Sequence, residues 1–256
     1  MKIMFDNEEA DLEVIVIRRP YDTYRTSTQT RKIISDLFKL KLDGYCSHYP
    51  YGILPISDYD FMGTHVCLAI KRKDDLFPVS AFKSISYQDC LDFDAPFPVI
   101  NHKFGKYKDQ FPEHVEALKS WEENLKKNNS KFAYNASWTM QSDLKGELRT
   151  AIRDVSYSLF YHYYTTEGIE HVINSTSCNY GVNKHQEAMG LKYLKDSSSQ
   201  ALPPFESPVF HNQPFYIMYL DQDGFSELFT RRSEKFSSIW KRRNVIEDLG
   251  VRRAIA

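Results

Sequence analysis

Apolar residues alternate with other residues over positions 131–139, which predicts a β-strand with one apolar face. The residues of that face are Phe132, Tyr134, Ala136 and Trp138. A polar stretch at 141–149 follows, and apolar residues then return at helical spacing. These residues, spaced three, four and four apart, are Ile152, Val155, Leu159 and Tyr163. The pattern predicts a strand, a polar turn and a long helix in succession.

The long helix is predicted to end at Gly168, because a glycine past a helix end adopts the left-handed conformation without strain. A strand over 169–177, a short helix over 183–189 and a strand over 191–194 are predicted to follow. Helix N-termini leave unpaired backbone N–H groups at the positive end of the helix dipole. The turn at 141–149 is therefore a candidate anion site, although many similar turns bind nothing.

The rest of the chain divides by the same patterns. Further strands are predicted over 12–17, 64–70, 78–85 and 213–220. Further helices are predicted over 28–42, 112–128 and 225–244. The stretches 45–55, 86–112 and 195–213 are predicted to be loops, and 248–256 to be frayed. The helix over 28–42 is predicted to end at Asp43-Gly44. The outward-facing residues of this helix are predicted to be Arg31, Lys32, Lys39 and Lys41.

Composition places the chain among globular proteins. Its 256 residues are 42% hydrophobic and 26% charged, with a net charge of −1, which argues against broad nucleic-acid binding. The sequence contains no signal-peptide pattern and no apolar run of membrane-spanning length. Its four cysteines form no ligand cluster, so we expect reduced thiols, no metal and a cytoplasmic protein.

Aromatic residues are abundant, with 17 Phe, 17 Tyr and 3 Trp. Such a content is typical of a bulky core. It is also compatible with a groove for a long apolar ligand, and composition leaves both interpretations open.

Two stretches carry a resemblance to a known family. One combines Thr30-Arg31 in a helix, an acidic pair in Asp58-Tyr59-Asp60, and Thr64-His65-Val66 at the start of a strand. The other covers residues 138–194 and includes Ala188-Met189-Gly190-Leu191, which is similar to a Gly-Phe element. Together they resemble the GNAT acyltransferase superfamily, in the branch of N-acyl amino acid synthases and acyl-homoserine-lactone (autoinducer) synthases.

The resemblance implies an α/β fold with a mixed, mainly antiparallel central sheet between helices, in three αβα layers. It implies a single domain over residues 1–256, with an insertion at about 86–130 and a C-terminal helical extension at about 221–256. The implied reaction moves an acyl group, expected to be long, from acyl carrier protein or acyl-CoA to the amine of a small acceptor such as an amino acid. The donor is then a cosubstrate, and no tightly bound cofactor is expected.

The resemblance also implies a donor site. A bulge in the strand before the anion-binding turn is expected to open a V-shaped gap that holds the thioester. The acyl side is assigned to Trp138, Thr139 and Met140. The residues assigned to the donor's phosphates through their amides or charges are Leu144, Lys145, Gly146, Glu147, Leu148 and Arg149.

Catalytic candidates follow from what acyl transfer requires, namely a deprotonated amine and an acid for the leaving thiolate. Asp58 and Asp60 are candidates to bind the amine or relay its proton; spaced by two, they share a face if extended. The alternative is that they are turn or cap carboxylates. His185 is a candidate acid, or else a surface histidine. The resemblance also implies Lys83 and Arg31 as candidates to bind the acceptor, with an exposed strand lysine as the alternative for Lys83.

A basic patch is a candidate docking surface for an acidic carrier protein. Its residues are Lys103, Lys106, Lys108, Lys145 and Arg149. Peripheral contact with a lipid product is also expected.

Two other functions stay open at this point. One is an acetyl-CoA-dependent N-acetyltransferase. The other is an inactive binding module, since the turn has Gly146 as its one glycine and Gln186 stands where relatives have a tyrosine.

Overall fold

The computed structural model describes residues 2–5, 8–46, 56–73, 75–178, 181–221 and 223–247. Ten strands in these residues form one sheet. They are β1 (Lys2–Phe5), β2 (Glu8–Arg18), β3 (Thr64–Arg72), β4 (Asp75–Ser86), β5 (Phe132–Met140), β6 (His171–Ser177), β7 (Lys192–Tyr193), β8 (Phe205–Glu206), β9 (Pro214–Leu220) and β10 (Asn244–Ile246). The order is β1-β2-β3-β4-β5-β6-β9-β7, with β10 beside β2 and β8 beside β9.

Most neighbouring strands of this sheet are antiparallel. Two pairs are parallel, β5 with β6 and β10 with β2. The mixed, mainly antiparallel sheet expected from the sequence is therefore confirmed.

Helices cover both faces of the sheet. They are α1 (Pro20–Thr23), α2 (Thr28–Cys46), α3 (Tyr59–Met62), α4 (Tyr87–Asp92), α5 (Val99–Phe104), α6 (Pro112–Lys127), α7 (Gly146–Glu167), α8 (Val182–Met189), α9 (Glu227–Glu234) and α10 (Ser237–Lys241). In the described part of the chain, no helix is long and apolar enough to cross a membrane.

The apolar run in β2 explains the three layers. Successive side chains of a strand point to opposite faces, so a continuous apolar run needs a covering layer on each side. Val14 and Val16 pack in the cluster that contains Ile152 and Leu159 of α7. Ile15 and Ile17 pack in the cluster that contains Ile34 and Leu37 of α2. A third cluster joins α5 and α6 to β5, β6 and β9. The three-layer αβα arrangement is confirmed.

Several element predictions need correction. The stretch 86–112, predicted to be a loop, contains α4 and α5 and a 3-10 helix at Gly105–Gln110. The single helix predicted over 225–244 is two helices, α9 and α10, followed by β10. The predicted loop at 195–213 contains β8. Residues 47–55 and 248–256, predicted to be loop and frayed end, lie outside the described residues.

The helix predicted to end at Asp43-Gly44 continues to Cys46. Gly44 therefore lies inside α2, where its missing side chain allows a close approach to β5. A Cβ atom at this position would overlap Thr139 Oγ1, and Thr139 is itself buried. Contact between helix and strand explains this glycine, and no helix end is required.

Replacing Gly44 with alanine is expected to lower the free energy of unfolding by about 1–3 kcal/mol, because it overpacks this contact. A loss of stability would distinguish this contact from an open helix position, because alanine in an open helix interior stabilises a protein by up to about 1 kcal/mol relative to glycine. Urea unfolding of Gly44→Ala measures the loss. The matched double variant, Gly44→Ala with Thr139→Ala, is expected to lose less than the sum of its single variants. Strict additivity would contradict the proposed overlap.

Candidate active site

A bulge in β5 shapes the site. Along the β4–β5 ladder, Ala81 pairs with Thr139 but Lys83 pairs with Ala136, so two residues of β5 face one residue of β4. Ser137, one of those two, has a left-handed φ of 53°. The bulge turns the following side chain to the other face of the sheet. The sequence prediction that Trp138 shares a face with Phe132, Tyr134 and Ala136 is therefore wrong. Trp138 packs against the cluster that contains Ile152 and Leu159 of α7, which we call the α7-side core. The other three belong to the cluster that joins α5 and α6 to the sheet.

The sheet opens between β5 and β6 from residue 135 onwards, just before the bulge. The two parallel strands pair over three positions, from Phe132 with His171 to Tyr134 with Ile173. After Ile173, β6 continues its pairing with β9 as far as Ser177. A cavity of about 340 Å³ fills the opening, and we call it the β5–β6 cleft. Its walls are residues 134–140 of β5 and 174–177 of β6, so this gap occurs where the sequence analysis expects the donor thioester.

The polar turn connects two residues that line this cleft, Met140 and Arg149. Helix α7 begins at Gly146, and the side chain of its N-cap residue, Lys145, makes no capping hydrogen bond. Gly146 has a φ of 55°, a conformation that favours glycine, and no atom of the described residues lies within 4 Å of the place where a Cβ would stand. Arg149 contributes to the cleft lining and donates a hydrogen bond to the carbonyl of Leu144 at 3.4 Å.

The residues predicted for the donor's phosphates have different surroundings. The Leu144 side chain is buried in the α7-side core, so only its backbone is a candidate for ligand contact. Leu148 is half-buried and packs against the same core. Lys145 and Glu147 are exposed. Trp138, Thr139 and Met140 all line the cleft, as Arg149 does.

A buried group of charged residues lies beside β4. Asp60 is fully buried and accepts hydrogen bonds from Lys41, from Lys83 Nζ at 2.8 Å and from the backbone N–H of Ser57 at 2.8 Å. His65 donates from Nε2 to the Asp60 carbonyl at 2.7 Å. His65 and Lys83 are cross-strand partners in β3 and β4. We call Lys41, Asp60, His65 and Lys83 the buried ion cluster.

This arrangement corrects three predictions. Lys41 was expected on the outside of its helix but is fully buried. Lys83, whose alternative was an exposed lysine, is only 1% exposed. Asp58 and Asp60 do not share an extended face, because both lie in the turn that starts α3. Asp58 faces solvent there, while Asp60 points into the protein.

Burial and the neighbouring charges perturb each group of the cluster. Burial alone raises the pKa of Asp60, but Lys41 and Lys83 together offset it, and the net pKa lies well below the ordinary range. Burial lowers the pKa of Lys41. Burial and the charge of Lys41 lower the pKa of Lys83 to about 8, even though Asp60 raises it. Burial, together with Lys41, lowers the pKa of His65 to about 3, so the imidazole is neutral near pH 7.

Lys103 of α5 lines the cleft and is also affected by the charge of Lys83 in the buried ion cluster. It is only 8% exposed, and its Nζ lies 5.6 Å from the centre of the Tyr134 ring. Burial, with a further contribution from the positive charge of Lys83, lowers the pKa of Lys103 to about 7. Lys103 therefore does not belong to the predicted surface patch, whereas Lys106 and Lys108 are exposed. An amine that is half neutral near pH 7 can accept a proton.

His185 and Arg31 lie away from the cleft. His185 is exposed on α8, with its ring 5.8 Å from that of Tyr157, and lines a separate cavity of about 460 Å³. The next residue, Gln186, faces the cleft and accepts a hydrogen bond from Thr176. Arg31 donates to the carbonyls of Tyr24 and Arg25, which stabilises the turn before α2. The structure thus brings Lys83 and Lys103 together and leaves His185 and Arg31 apart.

No protein-family model matches the sequence, and no curated protein sequence matches it. Solved structures match in fold. One is FeeM, an N-acyl amino acid synthase from uncultured soil microbes, with a TM-score of 0.51, 10% identity and coverage of 84% of this chain and 93% of FeeM.

Two lactone synthases match over similar lengths. The acyl-homoserine-lactone synthase LasI has a TM-score of 0.53, 10% identity and coverage of 93% of this chain and 99% of LasI. The CoA-dependent acyl-homoserine lactone synthase BjaI, solved with SAM and isopentyl-CoA, has a TM-score of 0.53, 11% identity and coverage of 93% and 94%. The chain has the GNAT fold.

Proposed function

We propose that this protein is an N-acyltransferase, which moves an acyl group from the thioester of CoA or an acyl carrier protein to the amine of a small acceptor. The observation that carries the proposal is the bulge at Ser137 together with the early end of the β5–β6 ladder, which leaves a cleft lined by both strands and by Arg149 in the first turn of α7. An extended thioester arm can lie along the edge of β5 that β6 leaves free. The phosphates then lie near the start of α7 and Arg149.

Different residues of the cleft wall would bind the acyl chain and the acceptor. Trp138, Tyr134 and Phe215 provide apolar surface for an acyl chain. Lys103 provides a basic group for the acceptor. The acceptor's ammonium gives one proton to the neutral Lys103 amine, and its nitrogen then attacks the thioester carbonyl. The new C–N bond forms and the C–S bond breaks, the second nitrogen proton passes to the leaving thiolate, and Lys103 releases its proton to water.

Thiol release tests the proposal directly. The protein is incubated with acyl-CoA donors of increasing chain length and a mixture of small amines, and with the same acyl groups on acyl carrier protein. Released thiol is measured optically, and acylated products are measured by mass spectrometry. We expect amine-dependent thiol release and a new amide. Comparing the rates among the donors identifies the preferred acyl chain length and the preferred carrier. Thioester binding without thiol release from any donor would support an inactive binding module instead.

Arg149→Ala is expected to raise KM for acyl-CoA about tenfold to a hundredfold and to change kcat little, because a charge-assisted hydrogen bond contributes about 1.5–3 kcal/mol. The matched control is Arg153→Ala, one turn further along α7, where the side chain lines the cavity beside His185 instead. Steady-state kinetics with both variants gives the comparison. An acyl thioester of N-acetylcysteamine, which has no phosphate, should show no difference between Arg149→Ala and the unaltered protein. Equal KM effects from the two variants would remove Arg149 from the donor site.

A further inference from the structure

Asn174 is a buried amide at the closed end of the cleft. It follows Ile173, the last β6 residue paired with β5, and it lines the cleft. Its side chain is 2% exposed, and neither Oδ1 nor Nδ2 has a hydrogen-bond partner among the described residues.

The neighbouring polar side chains of the cleft differ from Asn174 in this respect. Asn135, across the cleft on β5, accepts a hydrogen bond from the Tyr164 hydroxyl at 3.2 Å. Thr176, two residues further along β6, donates to Gln186. Buried polar groups nearly always have partners, and each unsatisfied group costs stability. An apolar residue at 174 would avoid that cost, so the amide indicates a partner that arrives from outside the protein.

The chemistry of the amide indicates which partner. Asparagine presents one donor and one acceptor side by side on a single planar group. The tetrahedral intermediate of the proposed acyl transfer has a matching pair on one carbon, the oxyanion and the N–H of the attacking amine. We infer that Asn174 binds this reacting centre, with Nδ2–H donating to the oxyanion and Oδ1 accepting from the amine N–H. This inference rests on the proposed function.

The hydrogen bonds would act as the charge develops. When the amine nitrogen attacks, the carbonyl π electrons move to the oxygen, and Nδ2–H stabilises that negative charge. When the C–S bond breaks, the carbonyl re-forms and the electron pair leaves with sulfur. Asn174 exchanges no proton in this sequence. Its contribution is therefore larger in the transition state than in the bound substrates.

Asn174→Leu is the decisive variant, because leucine has a similar size and no polar group. We expect kcat to fall about 100- to 1,000-fold, the usual loss for one oxyanion donor, with KM for the donor little changed. We expect the thermal unfolding midpoint without substrate to stay level or rise, since an unsatisfied amide is removed. Asn174→Asp should lose as much activity, because a carboxylate repels the oxyanion.

Asn135→Leu is the matched control for stability. It removes an amide that is hydrogen-bonded within the protein, so its unfolding midpoint should fall where that of Asn174→Leu does not. Unaltered kcat in Asn174→Leu, or a drop in its unfolding midpoint as large as that of Asn135→Leu, would overturn the inference. If the unaltered protein releases no thiol from any donor, the proposed function fails and this inference fails with it. An active protein with an active Asn174→Leu variant overturns the inference alone.

Discussion

Asp60→Asn is expected to lower the free energy of unfolding by about 3–5 kcal/mol, because it leaves buried lysines without their counter-charge. Lys41 and Lys83 both hydrogen-bond to this one carboxylate, and all three side chains are buried. Breaking a buried ion pair on one side costs far more than removing an exposed pair. Urea or guanidinium unfolding at neutral pH measures the loss.

Asp58→Asn is the matched control, since Asp58 lies two residues away in the same turn and faces solvent. We expect the control to change the free energy of unfolding by less than about 0.5 kcal/mol. The buried ion cluster would not contribute to stability as proposed if Asp60→Asn lost no more than this control.

The pH dependence of stability gives a second test of the same cluster. The folded-state pKa of Asp60 lies below its unfolded value, so its contribution is complete above about pH 3.9 and is lost as the pH falls further. In Asp60→Asn, the lysines have lowered pKa values without the carboxylate that raises them. The folded variant then binds fewer protons than the unfolded chain, and its stability is expected to rise between neutral and alkaline pH.

Much of the architecture could be predicted because it rests on local patterns. The hairpin of β3 and β4 follows from two apolar runs separated by a charged turn at residues 71–75. Helix α7 follows from the spacing of Ile152, Val155 and Leu159, all buried, and it ends at Gly168 in the left-handed conformation. In each case the decisive interactions lie close together in the sequence.

The sequence places Lys41 and Lys83 on apolar faces of their elements, but it does not show that their side chains are buried. Lys41 follows Leu37 by four residues, which places it on the inward stripe of α2. Lys83 lies between Ala81 and Ile85 on an apolar face of β4. A lysine at an apolar position is normally interpreted as exposed, because burying an unpaired charge is costly. The paired carboxylate comes from α3, and only the tertiary structure brings it there.

The bulge and the C-terminal elements depend on distant contacts. Ser137 adopts its left-handed conformation because of how β5 pairs with β4, and no glycine marks the position. The strand β10 exists because an edge of β2 is available to it, far away in sequence. Lys103 lies in a six-residue helix with too few turns to show an apolar face. The sequence therefore predicted an opening beside β5, but not that Lys103 and Asn174 would be buried in its wall.

Lys103→Met is expected to lower kcat/KM about 100- to 10,000-fold, the range found when a general base is removed. Methionine keeps the unbranched apolar stem and removes the amine. The unaltered protein should show kcat/KM rising with pH through about 7, because the proposed base is the neutral form of Lys103. The variant should lose that inflection. The matched control is Lys119→Met, an exposed lysine of α6, for which no change is expected.

Lys83→Met tests the cause of the lowered pKa. Removing the positive charge of Lys83 relieves part of the repulsion that disfavours protonated Lys103, so the inflection in kcat/KM should move to higher pH. The inflection should stay below the ordinary lysine pKa of about 10.4, since burial is the larger cause and the substitution leaves it in place. A profile that keeps its inflection near pH 7 in Lys103→Met would assign that ionisation to another group. An inflection that moves with Lys83 and disappears with Lys103 assigns it to the amine in the cleft.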